Sequence, residues 1–426
     1  MSRRRTASNE GVWIPSAIPF FLFGFAYYLI SPALVFRFLA QDNELLDTAT
    51  RYFHPNYFDA SYFLDAIVIL VSFLIGYLMA KAVTKGTTSI ADHGSRQTSF
   101  PKILATSFGA LVAYFAAAAG MSGAGFFTGY SAFNVLVLGP LSTCVFLSAW
   151  FVNYFSRKHI RLLFLSFFAV CSVFLLGWGS RMYFVLSLIA LTLGLVSRNR
   201  ALLRNVSSYA VLAVAGLCIV AIGIAREGGR SFGFDNLVAV LFAEPLFTSV
   251  SGSLYLEASG GRAAYGIPND LLAAIIHFIP SAIFPGKLDL ISAITFNENI
   301  TSPFGAKALL VNLYSNFGFF YPIFLALVGS YYGFLSRKAR YSVFYRATYF
   351  SALPVLAFLF FREDLSTIIK VVVFNGLAVP LFIALLLFWF FPQPITETKG
   401  RYSRLGIGES SAKAEESGLS PESRRS

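Results

Sequence analysis

A chain of 426 residues that is 56% hydrophobic and only 13% charged has too little polar side chain to cover a soluble domain, so lipid is its solvent. Its net charge of +12 would suit nucleic acid, but the Lys and Arg fall in short clusters between apolar runs. That is the pattern of cytoplasmic membrane loops, and it excludes nucleic acid as a partner. Cys144, Cys171 and Cys218 all lie inside apolar runs, with neither metal-ligand spacing nor an even-numbered disulfide framework; they read as small packed residues.

Spanning ~30 Å of hydrocarbon takes about 20 apolar residues as a helix. Arg3, Arg4 and Arg5 precede the first such run, which is long enough to stay in the bilayer as a span rather than serve as a cleaved leader. In chain order the expected spans are Ile14–Phe36, Tyr62–Ala80, Ile103–Ala119, Ala132–Phe155, Leu162–Leu176, Tyr183–Val196, Val206–Ala225, Leu309–Leu335, Thr348–Phe361 and Val371–Phe391. The expected fold is an all-α integral membrane protein of about ten transmembrane helices. Residues 1–225 hold the first seven helices, 226–308 form one large outer loop, 309–391 hold the last three, and 392–426 are a disordered cytoplasmic tail rich in Ser, Glu, Lys and Gly.

With both termini inside, the inner segments hold 23 of the 33 Lys and Arg but 7 of the 21 acids, as the positive-inside rule requires. The large outer loop contains two apolar pieces, Leu237–Leu256 and Leu271–Phe284. The second is too short to span, and the first carries Glu244 and Pro245 near its middle. Both are expected to lie at the interface or to dip back into a protein-lined cavity.

The chemistry gathers on the outer side. Arg181 opens the sixth span in Gly177-Trp178-Gly179-Ser180-Arg181; it suits either an anion site at a helix N-terminus or an interfacial anchor. Arg226 and Arg230 flank a Gly pair at the start of the large loop, a spacing that fits a phosphate clamp or a helix-end anchor. Arg262, His277, Lys287, Glu298 and Lys307 follow, with Arg362-Glu363-Asp364 in the last outer turn. His277, Glu244, Glu298 and Asp364 compete as general base, beside Asp235, Glu257 and Glu363. Asp65 is the acid placed inside a span; it is either functional or simply near the outer end. A nucleotide-binding glycine loop and His/Cys metal spacing are both missing from the sequence, so no metal site is expected.

The order of these outer features resembles the O-antigen polymerase (Wzy-type) family. The pieces are Gly179-Ser180-Arg181, the Arg226/Arg230 exit, Ile279-Pro280 with Phe284-Pro285-Gly286-Lys287, Tyr314-Ser315-Asn316-Phe317-Gly318, and Arg362-Glu363-Asp364. The resemblance covers roughly Phe164 to Trp389. Relatives often carry a carboxylate where this chain has Asn312, and Arg where it has Ser281.

The resemblance implies a glycosyltransferase of the bacterial inner membrane that needs no cofactor. Such a protein moves a growing glycan from undecaprenyl diphosphate onto a sugar hydroxyl of the next lipid-linked unit, for O-antigen, capsule or exopolysaccharide. Implied partners are that lipid-linked oligosaccharide, membrane lipid and a chain-length regulator protein. Arg181, Arg226, Arg230, Arg362 and Lys287 would bind diphosphate, and Tyr314 and Asn316 would bind glycan. An O-antigen ligase using the same donor is the nearest alternative. A transporter or flippase of a lipid-linked glycan is the alternative of another class, less suited to one long outer loop and spans nearly free of charge.

Overall fold

The computed structural model describes residues 13–38, 46–47, 50–54, 56–83, 100–121, 132–177, 181–199, 234–262, 265–277, 279, 284–294 and 306–390. All secondary structure among them is helical, and six helices are long and apolar enough to cross a membrane. The chain is a multi-pass helical membrane protein. Val206–Ala225 and the tail beyond Pro392 lie outside the described residues, as do Arg226, Arg230 and Glu298.

The first apolar run is three helical pieces in series. These are α1 (Ile18–Phe25), a π-helical stretch (Ala26–Ile30) and α2 (Ser31–Phe38). Next come α3 (Ala60–Val83), α4 (Phe100–Met121), α5 (Ala132–Tyr154), α6 (Lys158–Gly177) and α7 (Arg181–Arg198). The segment expected as the large loop holds α8 (Phe234–Ala258), α9 (Asn269–His277) and α10 (Lys287–Ile294). Then follow α11 (Leu309–Phe317), α12 (Tyr321–Lys338), α13 (Val343–Ala357), α14 (Leu359–Arg362) and α15 (Leu365–Ile369). A second π-helix (Lys370–Ala378) leads into α16 (Val379–Phe390). The chain divides into two compact units, Met1–Phe382 and Ile383–Ser426; of the second, only the end of α16 is described.

Within the first unit, α13 with α14 is the most enclosed span, 78% buried, with α1, α5, α7 and α12 packed on α13. The closest pair is α3 with α12, which run parallel. Gly76 meets the Ala326 backbone, and Gly329 and Gly333, four apart on α12, meet the backbones of Phe73 and Tyr77. A Cβ at any of the three would collide with the facing backbone. In lipid, where no hydrophobic effect drives helices together, such close backbone approach supplies the packing. Phe21 stacks on Phe73 at 3.8 Å between ring centroids and ties α1 to the pair.

The buried body is bonded almost entirely through neutral groups. Tyr349 donates to the Pro15 carbonyl at 2.9 Å, Trp150 to Thr348 at 3.2 Å and Asn153 to the Ala190 carbonyl at 2.9 Å. At one end of the body Arg198 donates to the carbonyls of Val152, Asn153 and Phe155. It thereby caps the C-terminus of α5, where the last carbonyls lack helical partners. The charged side chains that form the candidate site gather at the other end.

Candidate functional site: a charged layer at one end of the bundle

That other end is where α3 and α12 begin and α14 finishes. The short helix α11 organises it. Leu309, Leu310, Val311, Asn312, Leu313, Tyr314 and Asn316 are all buried, so its polar groups need protein partners. Helical geometry decides which partners each finds. Asn312 and Asn316, four apart, share one face, and Tyr314, two residues from each, points to the opposite one. Gly318, at φ 53°, ends α11 in a conformation that few residues other than Gly adopt.

On the Tyr314 side lies Asp65, only 7% exposed. Its Oδ1 accepts from the Tyr314 hydroxyl at 2.7 Å and the Tyr321 hydroxyl at 3.0 Å. Its Oδ2 accepts from Arg262 Nε at 2.8 Å, and Arg262 also reaches Asp59 at 3.7 Å. Tyr57, Tyr62 and Tyr255 complete the wall of a cavity of about 10 Å³ beside this carboxylate, about the room one water needs.

On the amide side, Asn316 donates to Asp270 at 2.9 Å and accepts from the Asp270 N–H at 3.0 Å, locking α9 to α11. Asn312 donates to the Glu363 carbonyl at 2.7 Å, locking the turn after α14. Lys307, with a side chain 5% exposed, bridges Asp364 at 2.9 Å and Asp270 at 3.9 Å. A lysine buried so far needs close anionic partners.

The third group sits beside α8. Glu244 accepts from Tyr28 at 2.8 Å and from Arg362 Nη1 at 2.6 Å, and Arg362 Nε lies 3.6 Å from Glu363. Pro245 removes the N–H that would satisfy the Leu241 carbonyl one turn earlier, and the Tyr27 hydroxyl donates to that carbonyl at 2.5 Å. From the π-helical stretch, consecutive Tyr27 and Tyr28 both reach α8; such π-helical turns are rare and occur frequently at functional sites. Below them opens an apolar groove lined by Pro19, Phe20, Phe23, Ile189, Ala357 and Phe358. Phe23 stacks on Tyr27 at 5.7 Å and meets Phe358 at 5.3 Å.

Among the described residues, the ion pairs of this layer set three cations, Arg262, Lys307 and Arg362, against six carboxylates, Asp59, Asp65, Glu244, Asp270, Glu363 and Asp364. Negative charge is in excess, and two of these carboxyls, Glu363 and Asp270, are raised by their burial. Burial pushes the Glu363 carboxyl up to about 7, with Arg362 opposing and Asp364 and Glu244 adding to the rise. Burial likewise raises Asp270 against the pull of Lys307. A half-buried carboxyl that titrates near neutral pH is suited to proton transfer.

The candidates named from sequence therefore divide. Glu244, Arg362, Asp364, Tyr314 and Asn316 come together in the layer. His277 closes α9 and Lys287 opens α10, where Lys287 donates to the Ile279 carbonyl at 2.8 Å. Arg181 begins α7, and Arg226, Arg230 and Glu298 lie outside the described residues. Sequence reasoning passed over Tyr27, Tyr28, Tyr321 and Asp270. For Tyr27 a signal existed in Pro245, which had to leave one carbonyl of α8 in need of a donor. No group of three or more His, Cys, Asp or Glu among the described residues is placed to hold a metal ion. No family model, curated protein or solved structure matches this chain.

Proposed function

We propose that this chain is a polymerase of lipid-linked oligosaccharide repeat units, with about ten spans, cytoplasmic termini and the charged layer on the extracytoplasmic side. The observation that carries the reading is the layer itself. It is carboxylate-rich and tyrosine-walled and lies at one end of an apolar bundle. A glycan carried on a polyprenyl diphosphate meets an enzyme at that depth, with its chain in lipid and its sugars in water.

In the reaction the acceptor hydroxyl oxygen forms a bond to the anomeric carbon of the donor. The bond from that carbon to the diphosphate oxygen breaks, and the diphosphate keeps the electron pair. The hydroxyl proton passes to Glu363, whose carboxyl titrates near neutral pH. One displacement gives inversion at the anomeric carbon. Arg362, held by Glu244 and close to Glu363, stabilises charge at the reacting centre. Arg226 and Arg230 are the proposed clamps on the leaving diphosphate, supported by Arg181. Tyr314 and Asn316 position the layer through Asp65 and Asp270. In this reading α8, with Glu244 facing Arg362, is a re-entrant helix of the outer loop.

Purified protein in detergent, supplied with lipid-linked repeats, is expected to extend them. The Glu363→Gln variant should do so roughly 100-fold more slowly or worse while keeping a monodisperse elution profile. Unchanged chain extension by Glu363→Gln would remove Glu363 as base. Transfer of finished glycan to another acceptor, without extension, would mark a ligase, and failure of any transfer outside a sealed compartment would favour transport.

A further inference from the structure

The end of the bundle opposite the charged layer is built from cations. α7 finishes there with Arg198, whose Nη2 donates to the carbonyls of Val152, Asn153 and Phe155 at 3.2, 2.6 and 3.4 Å. Arg157 comes two residues after Phe155. Its carbonyl accepts from the Arg161 N–H at 3.0 Å, which sets the two side chains one turn apart on the same face. The Phe155 ring also stacks on Phe164, the next turn of α6, at 5.7 Å. Segment 155–164 therefore folds back beside Arg198 and brings Arg157, Arg161 and Arg198 to one helix junction. Arg161 and Arg346 both repel Arg198 across it. Among the described residues no carboxylate pairs with Arg157, Arg161 or Arg198; the ion pairs lie at Arg51 or in the layer.

Arg161 departs from an ordinary boundary arginine, which lays its stem on apolar surface and keeps its head in water. Its Nε is buried and has no hydrogen-bond partner among the described residues. A buried donor on a charged group is costly to leave unmatched, so this junction is short of an acceptor oxygen. Hydrocarbon surface begins at the same place. Lys158, Leu162, Leu165, Ala169 and Val173 recur every three or four residues and form one exposed stripe of α6. Its apolar part, 162–173, is ~16 Å long at 1.5 Å per residue, about the depth of one leaflet of a ~30 Å core.

We propose that Arg157 and Arg161, beside Arg198, bind the phosphate of an anionic glycerophospholipid whose acyl chain lies along the 162–173 stripe of α6. Basic pockets between transmembrane helices hold lipid headgroups in this way. A phosphate oxygen accepts from Arg161 Nε, and the planar guanidinium fork suits two oxygens of one phosphate. The site ties the ends of α5, α6 and α7 together. It lies at the far end of the molecule from the layer and is independent of the polymerase reading.

Native mass spectrometry of the full-length protein tests the site, with phosphatidylglycerol as probe and zwitterionic phosphatidylcholine as competitor. The wild type should retain phosphatidylglycerol in preference to phosphatidylcholine. Arg161→Gln should weaken that retention roughly tenfold or more, the loss of one charge-assisted contact. Arg161→Lys should keep most of it, which separates lost charge from lost folding. Arg340→Gln, which removes an exposed cation from the same end, should bind as wild type. Equal retention of the two lipids by the wild type overturns the site, as does wild-type retention by Arg161→Gln. A loss in Arg340→Gln as large as in Arg161→Gln overturns it in favour of bulk surface charge. Displacement of the lipid by inorganic phosphate overturns the lipid assignment in favour of a free anion.

Discussion

Glu363 shows how one side chain acquires a neutral-range titration from its surroundings. It follows a buried helix end, its carbonyl accepts from Asn312, and burial, opposed by Arg362 and aided by Asp364 and Glu244, pushes its carboxyl up to about 7. If it accepts the proton of the acceptor hydroxyl, kcat/KM should climb with pH and level off above about 7. In Glu363→Gln that limb should vanish, leaving a low, flat profile. Stability has the opposite sign. Because the folded carboxyl titrates above its unfolded value, its contribution favours folding at low pH and falls as pH rises from the usual carboxylate range to about 7. Thermal midpoints of wild type and Glu363→Gln should therefore converge in acid, with the wild type losing ground towards neutrality. A midpoint difference that does not change with pH would show that Glu363 is an ordinary exposed acid.

At the scale of elements, α8 is the most informative. Glu244 and Pro245 made a simple crossing implausible from sequence alone, since a charge and a missing N–H both burden an apolar helix. The fold answers each locally, Glu244 with Arg362 and Tyr28, and Pro245 with the Tyr27 hydroxyl on the Leu241 carbonyl. A double-mutant cycle tests this. Tyr27→Phe should cost about 1–3 kcal/mol for the orphaned carbonyl. Much less should be lost in a Pro245→Ala background, where the restored N–H can serve Leu241. Additive losses in thermal or denaturant midpoints would show that Tyr27 does not cap this carbonyl.

The same helix explains what could be read in advance. Apolar runs of span length foretold most of the helices, because in lipid the backbone has little alternative. Asp65, Glu244, Arg362 and Asp364 stood out as charged groups in or beside such runs, and Tyr314 and Asn316 only through the family resemblance. Their partners did not, because the contacts join residues up to 256 positions apart and no local pattern encodes them.

For the whole molecule, the proposed reaction depends on the side of the membrane that the layer faces. Arg51, exposed in the segment before α3, marks the layer's end, and Arg340, exposed after α12, marks the other. With Cys144, Cys171 and Cys218 replaced, Arg51→Cys should react with an impermeant maleimide in intact cells. Arg340→Cys should react only after permeabilisation. The reverse result would turn the layer towards the cytoplasm and end the case for a polymer built outside it.

The layer also draws on widely separated parts of the chain: Tyr28, Asp65, Glu244, Arg262, Lys307 and Arg362. During synthesis Glu244 enters the membrane long before Arg362 exists, and Lys307 before Asp364. A nascent protein thus carries Glu244 without its cation until the end of α14 is translated. Any truncation upstream of Arg362 leaves Glu244 without that partner. Assembly of this end of the molecule is therefore tied to completion of the polypeptide.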